Sequence, residues 1–138
     1  MSNATYHLHP IGRVVSPLVD RKNAPRQPDE GAPAAWLDID PELGEAMRDL
    51  HAGDDVILLT WLDRGRRDVL AVRPRGNPEA AEIGVFSTRS PDRPNPIGLH
   101  RVTILAVERL RIQVSGLEAI DGTPLLDIKP VLGPIDER

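Results

Sequence analysis

Two short segments of the chain combine arginine with proline. They are PRQP, residues 25–28, and RSPDRPNPIGL, residues 89–99. Arginine carries a planar fork of N–H donors, and proline restricts the backbone that presents it, so less conformational entropy remains to be lost on binding. Each segment is therefore either a stiff, solvated connection rich in turn residues or a preformed ligand-binding loop.

The chain lacks the common signatures of nucleotide binding and of nucleophilic catalysis. It contains no G-x-G-x-x-G, no G-x-x-x-x-G-K-[ST] and no G-x-S-x-G motif. It also has no cysteine, which excludes disulfides, thiolate zinc sites and iron–sulfur clusters. His7 and His9 alternate along the chain but have no third ligand at a usable spacing, so we expect no metal site.

Positive charge is concentrated in one part of the chain. The formal net charge is −4, yet residues 64–111 contain ten arginines and five acidic residues. A net-acidic protein can still present a basic face to an anionic partner such as RNA. An ordinary solvated mixture of charges is the alternative interpretation.

The length and composition indicate one domain. The 138 residues are 40% hydrophobic and 3% aromatic, which is enough apolar material for a single core. No apolar run reaches the length of a membrane-spanning helix, and the first residues lack the pattern of a signal peptide. We therefore expect a cytoplasmic protein.

Short strands dominate the predicted secondary structure. Asp40 and Pro41 predict the start of one short amphipathic helix that ends before Gly53, and a long proline-rich loop precedes it. Because no βα alternation repeats, the pattern favours a mostly β fold, a small antiparallel β-barrel with one short helix and long proline-rich loops. Apolar runs and period-two alternation predict strands at residues 10–18, 56–62, 68–73, 83–88, 102–107, 110–114 and 125–131. The strands at 56–62 and 68–73 are expected to pair as a hairpin.

Four segments of the chain resemble the motifs of one known family. They are PIGRVVSP (10–17), APRQP (24–28), GVFSTRSPDRPNPIGLH (84–100) and GLEAIDGTPLLDIKP (116–130). In type, order and spacing they resemble the TsaA-like family, whose best-understood members are the TrmO tRNA methyltransferases. The resemblance spans nearly the whole chain.

The resemblance implies a fold, a cofactor and an activity. It implies a small β-barrel that forms a homodimer and binds S-adenosyl-L-methionine without a Rossmann fold. Some members carry an additional C-terminal domain, whereas for this chain we expect a single domain over residues 1–138, with residues 1–5 disordered and no such addition. The implied activity is methylation of N6 of the threonylcarbamoyl-modified adenosine beside the tRNA anticodon. The cofactor-binding role carries over to positions that match in residue type: Pro25, Arg26, Gln27, Arg89, Leu99, Asp121, Gly122, Thr123 and Pro124.

Three positions depart from the family pattern. Leu62-Asp63 stands where many members have Phe-His, His100 replaces serine, and Val131 replaces tyrosine. The acceptor is therefore less firmly indicated than the cofactor. Two alternatives remain: a methyltransferase that acts on another RNA or on a small molecule, and a non-catalytic module that senses the cofactor or binds a partner.

Acidic and basic residues are candidates for the other roles that such an enzyme needs. An adenine amino group is a poor nucleophile, and a carboxylate that accepts its proton would help; Asp63 and Asp127 are the candidates by position. Contacts to the phosphates of the anticodon arm are expected from arginines outside the cofactor motifs. These are Arg64, Arg66, Arg67, Arg73, Arg75 and Arg101, with Arg111 as the weakest candidate.

Overall fold

The computed structural model describes residues 3–20, 32–74 and 77–133. Four of the predicted site residues, Pro25, Arg26, Gln27 and Arg75, lie outside these ranges. Residues 3–10 are exposed and carry no regular secondary structure. None of the helices within the described ranges is long and apolar enough to cross a membrane.

The described part of the chain contains eight strands in two antiparallel sheets. Their bounds are β1 Gly12–Val15, β2 Ala35–Ile39, β3 Asp55–Trp61, β4 Ala71–Val72, β5 Ile83–Gly84, β6 Ile97–Glu108, β7 Arg111–Val114 and β8 Pro124–Pro130. Six strands close into a barrel in the order β1-β2-β7-β6-β3-β8, and β4 pairs with β5 separately. Closure depends on β1, which pairs with β8 at two positions. The prediction of a mostly β fold is confirmed.

One face of each long strand fills the barrel. Along β2, β6 and β7, buried residues alternate with more exposed ones, because successive side chains of a strand point to opposite faces. The fully buried side chains include Leu37, Leu58, Ile104, Ile112 and Leu125. Burying one such aliphatic side chain contributes roughly 1.5–3 kcal/mol relative to leaving it exposed, so this cluster holds the barrel together.

The predicted hairpin of residues 56–62 with 68–73 is wrong. β3 pairs with β6 at one edge and with β8 at the other, whereas β4 pairs with β5. An interior position satisfies the backbone groups at both edges of β3, which a single hairpin partner would not do. In addition, β2 was not among the predicted strands, and residues 85–87 form a 3-10 turn where a strand was expected.

The predicted helix is confirmed at its start but differs in type and length. A 3-10 helix spans Pro41–Met47, and the Asp40 carboxylate accepts a hydrogen bond from the Glu42 amide at 3.0 Å. Gly44 lowers the helix propensity of the segment, and Asp49, with a φ of 79°, turns the chain toward β3. Met47 still joins the core cluster, so the segment is anchored to the barrel.

Candidate functional site

A cavity of about 490 Å³ lies where β3 ends and β6 begins. Its wall is formed by residues 62–65, five residues of segment 88–95, residues 97–100, and Glu118, Ala119, Ile120 and Thr123. These residues come from β6 and from loops joined to β3, β6 and β8, so the barrel fixes their relative positions. The arginine-proline motif and the segment that precedes β8 therefore meet at one cavity.

Arg93 holds the arginine-proline loop, residues 88–96, in one conformation. Its guanidinium donates hydrogen bonds to the carbonyl oxygens of Val85, Thr88 and Ser90 at 3.1, 2.9 and 3.2 Å. The hydroxyls of Thr88 and Ser90 also accept from backbone amides two residues ahead. Because the loop satisfies its own polar groups and contains three prolines, its shape is set without a ligand.

A second loop, residues 62–67, packs against the arginine-proline loop. Arg67 donates to the Pro94 carbonyl oxygen at 2.7 Å and to the Asn95 side-chain oxygen at 2.9 Å. A Cβ on Gly65 would lie 2.2 Å from a carbonyl oxygen of the arginine-proline loop, so only glycine permits this close approach. The structure thus uses Arg67, a predicted RNA-binding residue, to hold the cavity wall.

Three of the cofactor positions implied by the sequence, Arg89, Leu99 and Thr123, lie on the cavity wall. They come from two of the four segments that carry the resemblance, residues 84–100 and 116–130, which are separate in the sequence. Arg89 is exposed, and within the described residues its guanidinium makes no hydrogen bond or ion pair. A fork of N–H donors is therefore available to an acceptor group in the cavity.

Asp121 and Gly122 form a turn beside the cavity, and Pro124 begins β8; none of the three is part of the cavity wall. The Asp121 carboxylate accepts a hydrogen bond from the Ser16 amide at 3.0 Å. Gly122 has a φ of 82°, a conformation that favours glycine. In this structure these residues tie the segment before β8 to the end of β1.

The two candidate proton acceptors lie in different surroundings. Asp63 is exposed and belongs to the cavity wall. Asp127 lies on β8 outside the wall, and its carboxylate is 3.3 Å from the Lys129 ammonium group. The geometry therefore brings Asp63, but not Asp127, together with the cofactor positions.

Three polar side chains form a hydrogen-bonded chain at the cavity wall. The Thr60 hydroxyl is 2.7 Å from His100 Nε2, and His100 Nδ1 is 2.5 Å from Glu118 Oε1. Thr60 and His100 are buried. Sequence reasoning noted His100 only as a departure from the family pattern and missed Thr60 and Glu118. The available signal was one acidic residue within the otherwise apolar stretch Leu117–Ile120.

The predicted RNA-binding arginines do not form a single cluster. Arg66 donates to the Asp68 carboxylate at 3.0 Å, and this hydrogen bond lowers the pKa of Asp68 and raises the pKa of Arg66. Arg64 lies on the cavity wall. The others lie outside the wall: Arg73 bound to the Ala80 carbonyl oxygen, Arg101 beside Asp55, and Arg111 between Asp38 and the Trp36 ring.

Side chains that could bind a metal ion do not cluster in the part of the chain that the structure describes. No set of three or more histidine, cysteine, aspartate or glutamate residues there could hold a metal ion. His7 and His9 are both exposed.

Comparison with known proteins identifies the family. A family model described as the tRNA-methyltransferase O N-terminal domain matches residues 13–137. The S-adenosyl-L-methionine-binding protein of Archaeoglobus fulgidus is 44% identical over 129 residues, which cover 94% of this chain and 91% of that protein. A probable S-adenosyl-L-methionine-binding protein of Methanothermobacter thermautotrophicus is 40% identical over 136 residues, 99% of this chain and 97% of that protein.

Solved structures show the same fold. The crystal structure of TrmO from Pseudomonas aeruginosa superposes with a TM-score of 0.80 at 31% identity and covers 99% of this chain. The chain spans only 60% of that solved protein. Because the family model matches almost the whole chain and the fold agrees, the chain belongs to the family of the tRNA-methyltransferase O N-terminal domain.

Proposed function

We propose that the protein transfers a methyl group from S-adenosylmethionine to N6 of the threonylcarbamoyl-modified adenosine beside the tRNA anticodon. The observation that carries the proposal is the cavity, whose wall joins residues from the family-like segments 84–100 and 116–130. Membership of the tRNA-methyltransferase O family and the names of the relatives support both the cofactor and the class of substrate. A tRNA substrate also implies a cytoplasmic location.

The cavity suits the size and charges of S-adenosylmethionine. Its volume of about 490 Å³ lies within the usual range for small-molecule sites. Arg89 offers its guanidinium to a carboxylate, and the exposed side chain of Leu99 on the same wall offers apolar surface to a ring. Residues 25–27 belong to the proposed site because of their motif, and they lie outside the described residues.

The chain's own contribution to methyl transfer is alignment and proton acceptance. When bound, S-adenosylmethionine would supply a methyl group bonded to a sulfonium, and the neutral thioether would be the leaving group. The hydrogen bonds of Arg93 and Arg67 fix the cavity wall, so that little freedom remains to be lost when the reactants meet. Asp63, exposed at the cavity, is the proposed acceptor of the proton of the attacking amino group.

A methyl-transfer assay tests the proposed function. We expect tritium from labelled S-adenosylmethionine to enter tRNA that carries the threonylcarbamoyl group but lacks the methyl group, and nucleoside digestion to locate the label in that nucleoside. Label in another nucleoside or in a small molecule would favour a different acceptor, and cofactor binding without transfer would favour a sensing module.

The same assay tests the proton acceptor. Asp63→Asn is expected to slow methyl transfer, and Asp127→Asn, its matched control, is expected to leave the rate unchanged.

Arg66 is the arginine best suited to test the contact with tRNA. Its side chain is 68% exposed, and among the described residues its guanidinium donates hydrogen bonds only to Asp68, so removing it leaves the cavity wall intact. We expect Arg66→Ala to weaken tRNA binding and to reduce its salt dependence by about one unit of slope, the effect of losing one phosphate contact. Cofactor affinity should be unchanged.

Arg48→Ala is the matched control for this measurement. Arg48 is 71% exposed and pairs with Glu45 on the 3-10 helix segment, outside the cavity wall. Binding titrations at several salt concentrations compare both variants with the unmodified protein. If Arg66→Ala keeps the original slope, Arg66 does not contact a phosphate and serves only to solubilise its loop.

We also propose a homodimer. Large apolar side chains exposed on the described surface support it, among them Leu70 and Phe86, because a second copy of the chain would cover them. Light scattering gives the mass in solution. A monomer at all concentrations, with cofactor present, would contradict this part of the proposal.

A further inference from the structure

Glu118 carries a carboxylate oxygen whose hydrogen-bonding capacity is unused. Its Oε1 lies 2.5 Å from His100 Nδ1, whereas its Oε2 is buried and has no hydrogen-bond partner among the described residues. Leaving a buried charged acceptor unsatisfied costs more than leaving a neutral one. Since Glu118 is on the cavity wall, a ligand in the cavity is the natural source of the missing donor.

Hydrogen bonds through His100 to Thr60 hold the Glu118 carboxylate in position. His100 is 4% exposed and bridges Glu118 to the fully buried Thr60 hydroxyl. A Cβ on Gly98 would lie 2.4 Å from Thr60 Oγ1 and 2.7 Å from His100 Nε2. Glycine at this position therefore leaves the room that the Thr60–His100 contact needs. Glu118 thus presents a fixed acceptor, which reduces the entropy lost when a donor binds.

Charge and depth indicate the group that Glu118 binds. A carboxylate pairs most strongly with a cationic N–H donor. On the proposed function, the ligand ends in a zwitterionic amino acid, and Arg89 on the same wall provides the complementary guanidinium for its carboxylate. The exposed position of Asp63 suits the RNA base, whereas the buried Oε2 suits a ligand that lies deep in the cavity.

We propose that Glu118 binds the α-ammonium group of the cofactor's methionine part, with His100 and Thr60 as positioning residues. This inference rests on the proposed function, because it assigns a role within the cavity proposed for S-adenosylmethionine. It adds a cofactor-binding position to those that the sequence motifs imply. It also gives the buried histidine, which departs from the family pattern, a defined task.

Calorimetry with three ligands tests the assignment. We expect Glu118→Gln to weaken binding of S-adenosylhomocysteine about 10-fold, the scale of one charge-assisted hydrogen bond. S-adenosylmethionine should lose a similar factor. Binding of 5′-methylthioadenosine, which lacks the amino acid, should stay within about twofold. The amide keeps a bond to His100, so the variant is expected to fold, and a thermal melt checks this.

Other patterns of loss would overturn the assignment. Unchanged affinity for S-adenosylhomocysteine would remove Glu118 from the site. A loss confined to S-adenosylmethionine would point to the sulfonium, and an equal loss for 5′-methylthioadenosine would point to the adenosine part. If the unmodified protein binds none of the three ligands, the proposed function itself fails, together with this inference.

His100→Ser tests the positioning role. Because His100 acts through Glu118, we expect a smaller loss, about threefold, confined to the same ligands that Glu118→Gln affects. The double variant should lose little more than Glu118→Gln alone, since the two changes disrupt one interaction. Fully additive losses, or a loss that includes 5′-methylthioadenosine, would show that His100 only supports the fold.

Discussion

Replacing Arg93 with alanine is expected to weaken S-adenosylmethionine binding about 100-fold, on the order of 3 kcal/mol. The Arg93 guanidinium donates hydrogen bonds to the carbonyl oxygens of Val85, Thr88 and Ser90. Because Arg89 lies between Thr88 and Ser90 in the chain, these bonds also position Arg89. Without the Arg93 side chain, the three carbonyl oxygens lose a charged donor and the arginine-proline loop becomes less ordered. Ordering the loop when the cofactor binds then costs free energy, which weakens the affinity. Calorimetry with the purified variant measures the loss.

Two further variants show whether geometry or charge is responsible. Arg93→Lys keeps the charge but cannot reach three carbonyl oxygens at once, so we expect most of the loss to remain. Arg48→Ala removes an exposed arginine outside the cavity wall and should bind the cofactor normally. Cofactor affinity of Arg93→Ala within threefold of the unmodified protein would show that the prolines alone hold the loop.

Replacing Gly12 with alanine is expected to lower the free energy of unfolding by about 3 kcal/mol. The new Cβ would lie 2.0 Å from the Asp38 carbonyl oxygen, which is a backbone atom of the neighbouring strand. β1 cannot shift freely to relieve this contact, because it pairs with β2 on one side and β8 on the other. Urea denaturation followed by circular dichroism measures the change.

Gly84→Ala is the matched control for the barrel. Gly84 has a φ of −61°, and a Cβ there would meet no heavy atom within 4 Å. We expect a change within about 0.5 kcal/mol, toward higher stability, because alanine restricts the unfolded chain. Equal effects at both positions would mean that crowding against Asp38 is not the cause.

The parts of the fold that depend on local pattern could be predicted from the sequence. Period-two alternation marks β6 and β7, and Asp40 followed by Pro41 marks the start of the helix. The partners of β3 could not be predicted in this way. An apolar strand fits many neighbours, and only closure of the barrel selects β6 and β8 over the nearer residues 68–73.

The loops that form the candidate site could be predicted from the sequence, but the hydrogen-bond partners of their side chains could not. Proline and arginine beside each other indicate a stiff donor-rich loop, yet a guanidinium suits a backbone carbonyl oxygen as well as a ligand. Arg93 and Arg67 use their donors within the protein, whereas Arg89 makes no such bond to the residues that the structure describes. Glu118 and Thr60 were missed because His100, which links them, lies far from both in the sequence.

The position of β8 between β1 and β3 determines when the barrel can close during synthesis of the chain. β1 is translated more than a hundred residues before its partner in β8. Until residues 124–130 have left the ribosome, β1 and β3 each keep one edge without a partner. Such open edges are where other nascent chains can add. The emergence of β8 therefore ends the interval in which the edges of β1 and β3 are open to aggregation.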